Sequence, residues 1–125
     1  MVVYIAGPMS GIAEHNRPAF FSAQAVLRSL GGDVTVLNPA VLPATLPDKS
    51  YMPICTAMIE ASDVIYLLDG WELSAGAKAE RAYAKRQDKI IVQQKYARKI
   101  EQIEAAIEHE VRAIMERRMK REARV

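Results

Sequence analysis

Glu80 ends the stretch Asp63–Glu80, DVIYLLDGWELSAGAKAE, whose residue types suit chemistry on a small ligand. Val64–Leu68 reads as a buried strand that breaks at Asp69-Gly70, presents Trp71 and Glu72, and re-enters a helix through Ser74-Ala75-Gly76-Ala77. Glu80 then falls in the second turn. In a doubly wound α/β domain ligands bind outside the carboxyl ends of the strands, so a carboxylate on this helix would be aimed into the crevice. The alternative is a surface helical carboxylate, which the neighbouring Lys78, Arg81 and Lys85 support. Ser74 can cap the helix by accepting an orphan N–H. Gly76 is harder to explain, because glycine costs about 1 kcal/mol relative to alanine in a helix interior; close approach of a ligand is a physical reason to keep it. Trp71, the single tryptophan, is either core filler or a wall against a flat ligand.

A second constellation follows the first apolar run. Gly7-Pro8-Met9-Ser10-Gly11 is a loop whose glycines allow backbone to approach a ligand, with N–H groups that can meet a phosphate or sugar oxygen; an ordinary tight turn explains it equally well. Tyr4 lies near the carboxyl end of the preceding strand, and its hydroxyl needs a partner in the core or in the crevice. The loop lacks both GxxxxGK[ST] and the dinucleotide glycine spacing. His15 and His109 are isolated, and Cys55 has no metal-ligand companions, so no zinc site and no cofactor is expected. Ser10 and Ser74 lack a nucleophile-elbow context, which disfavours a serine hydrolase.

The elements that must position these groups alternate. Val2–Ala6 is the first strand. A helix follows Asn16, a plausible N-cap, with Pro18 in its first turn, Phe20, Phe21, Ala25, Val26, Leu27 and Leu30 on its apolar side, and Gly31-Gly32 as its stop. Val34–Leu37 is the second strand. Asn38–Pro53 carries Pro39, Pro43, Pro47 and Pro53 and reads as an ordered loop, before a short helix over about 51–61. The third strand is Val64–Leu68, the Glu80 helix spans about 74–87, and the fourth strand is 90–93. Strands alternating with helices predict an α/β fold: a Rossmann-like (flavodoxin-like) doubly wound parallel sheet of four to five strands, with a long C-terminal helix.

From Lys95 onward there is neither glycine nor proline, and Ile100, Ile103, Ile107, Val111 and Ile114 form a stripe at helical spacing. We therefore divide the chain into an α/β part, 1–94, and an amphipathic helix, 95–125. The stripe either covers the sheet edge or packs on a partner subunit. A helix roughly 40 Å long would overhang so small a domain, which favours a homo-oligomer. The terminal MERRMKREARV has no aromatics between its basic residues, so a solvated helix end is expected rather than a nucleic-acid patch.

The 125 residues suffice for one domain, half of them apolar, with a formal charge of +2 that does not define a partner. One cysteine excludes an internal disulfide framework and fits a reducing compartment. MVVYIAG lacks a basic leader and no segment approaches a membrane span, so we expect neither a signal peptide nor a membrane partner, and a cytoplasmic location.

Taken together, YIAGPMSG, the NPA of Asn38–Ala40, and ASDVIYLLDGWELSAGAKAE resemble the nucleoside 2-deoxyribosyltransferase superfamily, which also contains the 2'-deoxynucleoside 5'-monophosphate N-glycosidases. The likeness is greatest to small phage and bacterial members with a GWExSxGAxxE signature, and covers about residues 2–93. It implies cleavage of the N-glycosidic bond of a deoxynucleoside or its monophosphate, by hydrolysis or deoxyribosyl transfer. Glu80 matches the family's nucleophilic glutamate, and Ser74 and Gly76 its sugar- or phosphate-contacting pair. Tyr4 and Gly7 match its first-strand tyrosine and glycine. The resemblance brings Met9, Ser10, Gly11 and Asn38 into the expected substrate site, with Trp71 as a base wall. It also implies a homo-oligomer. One position departs. The family's members carry an aspartate eight residues before the position of Asp63, where it helps protonate the leaving base; this chain has Cys55 there. Asp69 or Glu72 are alternative proton sources, and Asp63 is expected to close the preceding helix or to bind backbone near the strand start. The same departure admits a non-catalytic nucleotide-binding or sensing module.

Overall fold

The computed structural model describes residues 1–124. Its element order is β1 (Val2–Ala6), α1 (Arg17–Leu27), β2 (Thr35–Leu37), α2 (Asp48–Glu60), β3 (Val64–Leu67), α3 (Ala75–Arg86), β4 (Ile90–Gln93) and α4 (Ile100–Ala123), with short 3₁₀ turns between them. All strand pairs are parallel and the sheet order is β2-β1-β3-β4. This is the Rossmann-like α/β architecture anticipated above, with four strands.

Alternation along the strands divides the core into two. Val3, Ile5, Val64, Tyr66, Leu68 and Val92 pack with Phe20, Ala23 and Leu27 of α1 and Ile103 of α4. On the opposite face Tyr4, Ala6, Ile65 and Leu67 meet Cys55 and Ile59 of α2 and Ala84 of α3. Both faces of the sheet are therefore covered, as parallel strands require. β1 and β3 lie at the centre and are buried almost throughout, which explains their near-continuous Val, Ile and Leu content.

Several boundaries differ from the expectations. Asn16 does precede α1, but with φ 59° it is left-handed, and its side chain donates to the Pro8 carbonyl at 2.9 Å instead of capping the helix. α1 ends at Leu27, ahead of Gly31-Gly32, and β2 begins at Thr35. β3 stops at Leu67. α2 starts at Asp48, three residues before the expected position, and runs through Pro53. That proline withdraws one N–H from the ladder and deprives the Lys49 carbonyl of its usual donor; both residues are exposed, where water can replace the bond. Asp63 serves backbone as anticipated: its Oδ2 accepts from Val2 N at 2.9 Å and its own N–H donates to Val2 O at 2.8 Å.

The C-terminal stripe is used mainly on its own sheet. Ile103 and Ile114 are buried, and Ile100, Ala106 and Ile107 pack against the α1 side of the core. Only Val111 of the five stripe residues is exposed, at 37%, with Met115 and Met119 beyond it. Tyr66 ties the start of this region down by donating to the Ala97 carbonyl at 2.7 Å. Among the described residues no helix is long and apolar enough to cross a membrane.

Candidate active site

In a sheet of order β2-β1-β3-β4 the chain leaves β1 in one direction and β3 in the other, so a crevice opens between their carboxyl ends. A cavity of about 820 Å³ lies there. Gly7–Ser10 after β1, Asp69-Gly70 after β3, the first turns of α3 and one face of α2 form its walls, and Tyr4 and Glu80 contribute to its lining. The volume falls within the range of small-molecule sites.

Tyr4 is fully buried on β1 and its hydroxyl donates to Glu80 Oε2 on α3. Burial raises the Glu80 carboxyl to about 7, against the lowering effect of the Tyr4 hydrogen bond. Burial, followed by the negative charge of Glu80, pushes Tyr4 well above its ordinary range, so the phenol remains a donor. Cys55 stands beside the same hydroxyl; burial pushes its thiol up, and hydrogen bonding to Tyr4 opposes this. The three groups form a proton-bearing cluster around one carboxylate.

The first turn of α3 is arranged for an acceptor. Ser74 caps the helix, with its Oγ accepting from Ala77 N at 3.1 Å. The N–H groups of Ala75 and Gly76 have no carbonyl behind them in the helix, and both residues line the cavity. A Cβ on Gly76 would meet nothing closer than Ser74 Oγ, at 3.9 Å. Nothing in the chain itself demands glycine there, and its missing side chain leaves room on the cavity side. Gly7 differs: a Cβ would lie 2.9 Å from Leu68 Cβ, so glycine is required for the β1 and β3 ends to close.

Tyr4, Gly7, Met9, Ser10, Cys55, Ser74, Gly76 and Glu80 thus share one cavity, whereas Gly11, Asn38 and Trp71 do not line it. Gly11 takes φ +78°, a turn requirement. Asn38 is buried and structural: its Oδ1 accepts from Ala40 N at 2.9 Å and its Nδ2 donates to Gln24 Oε1 at 3.1 Å. Trp71 packs on the α2–α3 side, with Arg81 stacked 5.2 Å from its ring centroid and its Nε1 directed to Gln93 Oε1 at 3.4 Å. The expected role of Trp71 as a wall is therefore not met by its position, and the larger apolar side chains that do line the cavity include Phe20, Leu46, Tyr51 and Met52. Of the two alternative proton sources, Asp69 lines the cavity but pairs with Arg98 at 2.8 Å, and Glu72 lies outside it, 3.8 Å from Lys95.

Sequence reasoning overlooked two contributors. His15 enters the wall through three consecutive left-handed residues, Glu14, His15 and Asn16, with φ 53–59°. Asp48 lines the cavity from the start of α2, a position that Pro53 disguises as loop in the sequence. Its spacing to Tyr51 and Cys55 is the signal that a longer helix would have revealed. Among the described residues no group of acidic, histidine or cysteine side chains is arranged to hold a metal ion.

A parallel Rossmann-like domain with a carboxylate–phenol pair under a switch-point cleft is the class defined by this geometry. More particularly, residues 1–93 match the family described as a domain of unknown function, DUF4406, and the chain belongs to that family. The match ends with β4, leaving α4 beyond it. No curated protein and no solved structure matches the chain.

Proposed function

We propose that this protein cleaves the N-glycosidic bond of a deoxynucleoside or deoxynucleoside 5'-monophosphate, with Glu80 as nucleophile. The observation that carries the reading is the Glu80 carboxylate, held by Tyr4 at the cavity and balanced near neutrality by burial. The resemblance of YIAGPMSG and GWELSAGAKAE to nucleoside 2-deoxyribosyltransferases supports the same assignment.

In the first step a Glu80 oxygen attacks C1' through an oxocarbenium-like transition state. The C1'–N bond breaks and its electron pair leaves with the base, which takes a proton from the surrounding solvent or a cavity donor. The resulting glycosyl ester is opened at C1' by water, or by a nitrogen of a second base, which returns the carboxylate and releases the incoming group's proton. Tyr4 orients Glu80 and stabilises its ionised form. The N–H groups of Ala75 and Gly76 are suited to donate to a sugar or phosphate oxygen. The absence of a 2'-hydroxyl makes the sugar cation easier to form, which favours deoxy substrates.

The test is chromatographic detection of free base from each deoxynucleoside and monophosphate, with Glu80→Ala beside the wild type. Absence of base release by the wild type, or equal release by Glu80→Ala, removes the proposal.

Cys55 favours a second reading, a binding or sensing module without turnover, because a thiol raised by burial is a poor proton donor to a departing base. It requires nucleotide-dependent thermal stabilisation with no base released. A large gain of activity in Cys55→Asp would mark an idled glycosidase.

A further inference from the structure

We propose that Asp48 reads the outer edge of the substrate base and selects bases that carry an exocyclic amino group. The inference rests on the glycosidase reading for where the sugar lies, and names the ligand chemistry of the same cavity.

Among the described residues, the ionisable side chains lining the cavity, apart from Tyr4, Tyr51 and Cys55, are Glu80, Asp69, Asp48 and His15, with no lysine or arginine. Glu80 is engaged by Tyr4, and Asp69 by Arg98. Among the described residues no hydrogen bond or ion pair engages the Asp48 carboxylate. Asp48, Tyr51, Met52 and Cys55 are spaced i, i+3, i+4, i+7 and line the cavity from one face of α2. Cys55, beside Tyr4, marks the inner end of that face. Asp48 is seven residues away, about 10 Å along the axis at 1.5 Å per residue. A nucleoside with C1' at Glu80 and its base laid along this face, over Tyr51 and Met52, turns its distal edge toward Asp48.

An ionised carboxylate only accepts hydrogen bonds. It matches the amino hydrogens of adenine N6 or cytosine N4 and opposes the keto oxygen found at the same position of hypoxanthine or uracil. Asp48 also occupies the first turn of α2, where a negative charge suits the helix dipole. That effect is blind to the identity of the base, and so is separable.

The experiment compares deoxyadenosine with deoxyinosine, and deoxycytidine with deoxyuridine, on the full chain. Base release gives kcat/KM, and calorimetry gives Kd for Glu80→Gln. Each amino member is expected to exceed its keto counterpart by about tenfold or more, the scale of one discriminating base contact. Asp48→Ala should collapse both ratios toward one. Asp48→Asn, whose amide can donate to a keto oxygen, should improve the keto members. Ratios that survive both variants overturn the proposal, as does an equal loss for all four nucleosides with a lowered melting temperature. If no base is released but the Kd ratios behave as described, the glycosidase reading falls and the Asp48 assignment stands. If neither the four nucleosides nor their 5'-monophosphates bind, both fall.

Discussion

The Tyr4 hydroxyl donates to Glu80 across 76 residues of sequence, joining the central strand to the second turn of α3 beneath the cavity. That bond opposes the effect of burial on the carboxyl, and the balance places Glu80 near neutrality. Measurable consequences follow for stability as well as for activity.

Glu80 is raised in the folded state to about 7 from an ordinary value of 4.5. The native protein therefore retains a proton that the unfolded chain releases between about pH 4.5 and 7. Stability should fall as pH rises through that window and level off above it. The full cost is on the order of 3 kcal/mol at pH 8. Glu80→Gln should therefore melt several degrees above wild type at pH 8 and close to it at pH 4.5. Thermal denaturation at the two pH values tests this, and an equal offset at both would contradict it.

Attack at C1' needs the ionised carboxylate, so kcat/KM should rise with pH and reach its plateau above about 7. Tyr4→Phe removes a hydrogen bond that favours ionisation. At about 1.5 kcal/mol for a bond to a charged group, the acid limb should move up by roughly one pH unit. A pH–rate profile of the variant that is lowered without being displaced would assign Tyr4 to substrate contact instead.

The two cavity glycines should separate fold from function. Gly7→Ala places a methyl 2.9 Å from Leu68 Cβ and should cost about 1–3 kcal/mol in chemical denaturation. Gly76→Ala meets nothing closer than 3.9 Å and should be neutral or stabilising by up to about 1 kcal/mol. If a ligand approaches that backbone, the second variant should nevertheless lose activity or ligand affinity. A fully active Gly76→Ala would show that the space is unused.

Ile103 is fully buried between α4 and the sheet, so Ile103→Ala should cost about 2–5 kcal/mol. Truncation after Gln93 should expose the α1-side core and yield an aggregating or unfolded chain. Light scattering of the intact protein reports the proposed homo-oligomer independently, because most of the α4 stripe is already spent within the subunit.

Much of the architecture was legible because the signals were local. The β-branched runs at 2–6 and 90–93 gave their strands to the residue, and the glycine-free, proline-free tail gave a helix close to its observed length. The start of α2 is hard to read because proline is a helix-stop signal in sequence, whereas an exposed Pro53 is tolerated inside the helix. Tyr51, whose hydroxyl reaches the Pro43 carbonyl at 3.1 Å, helps hold the start of α2 against the preceding loop. Gly11 and Asn38 were expected at the ligand but lie off the cavity, where a positive φ and a cap account for their identities, whereas Gly7 lines the cavity and also packs against Leu68. Trp71 was ambiguous because its partners, Arg81 and Gln93, are fixed only by tertiary packing. The gathering of Tyr4, Cys55, Ser74 and Glu80 followed from strand order, which no local pattern encodes.

The close fit of Gly7 against Leu68 also bears on how such a protein can diversify. It fixes the floor of the cleft through the two central strands, while Phe20, Leu46, Asp48 and Tyr51 approach from α1, a loop and α2. On the proposed reading, substitutions at Leu46, Asp48 or Tyr51 would change which ligand fits without moving Glu80, so that selectivity and reactivity would be carried by separate parts of the chain, free to vary at different rates.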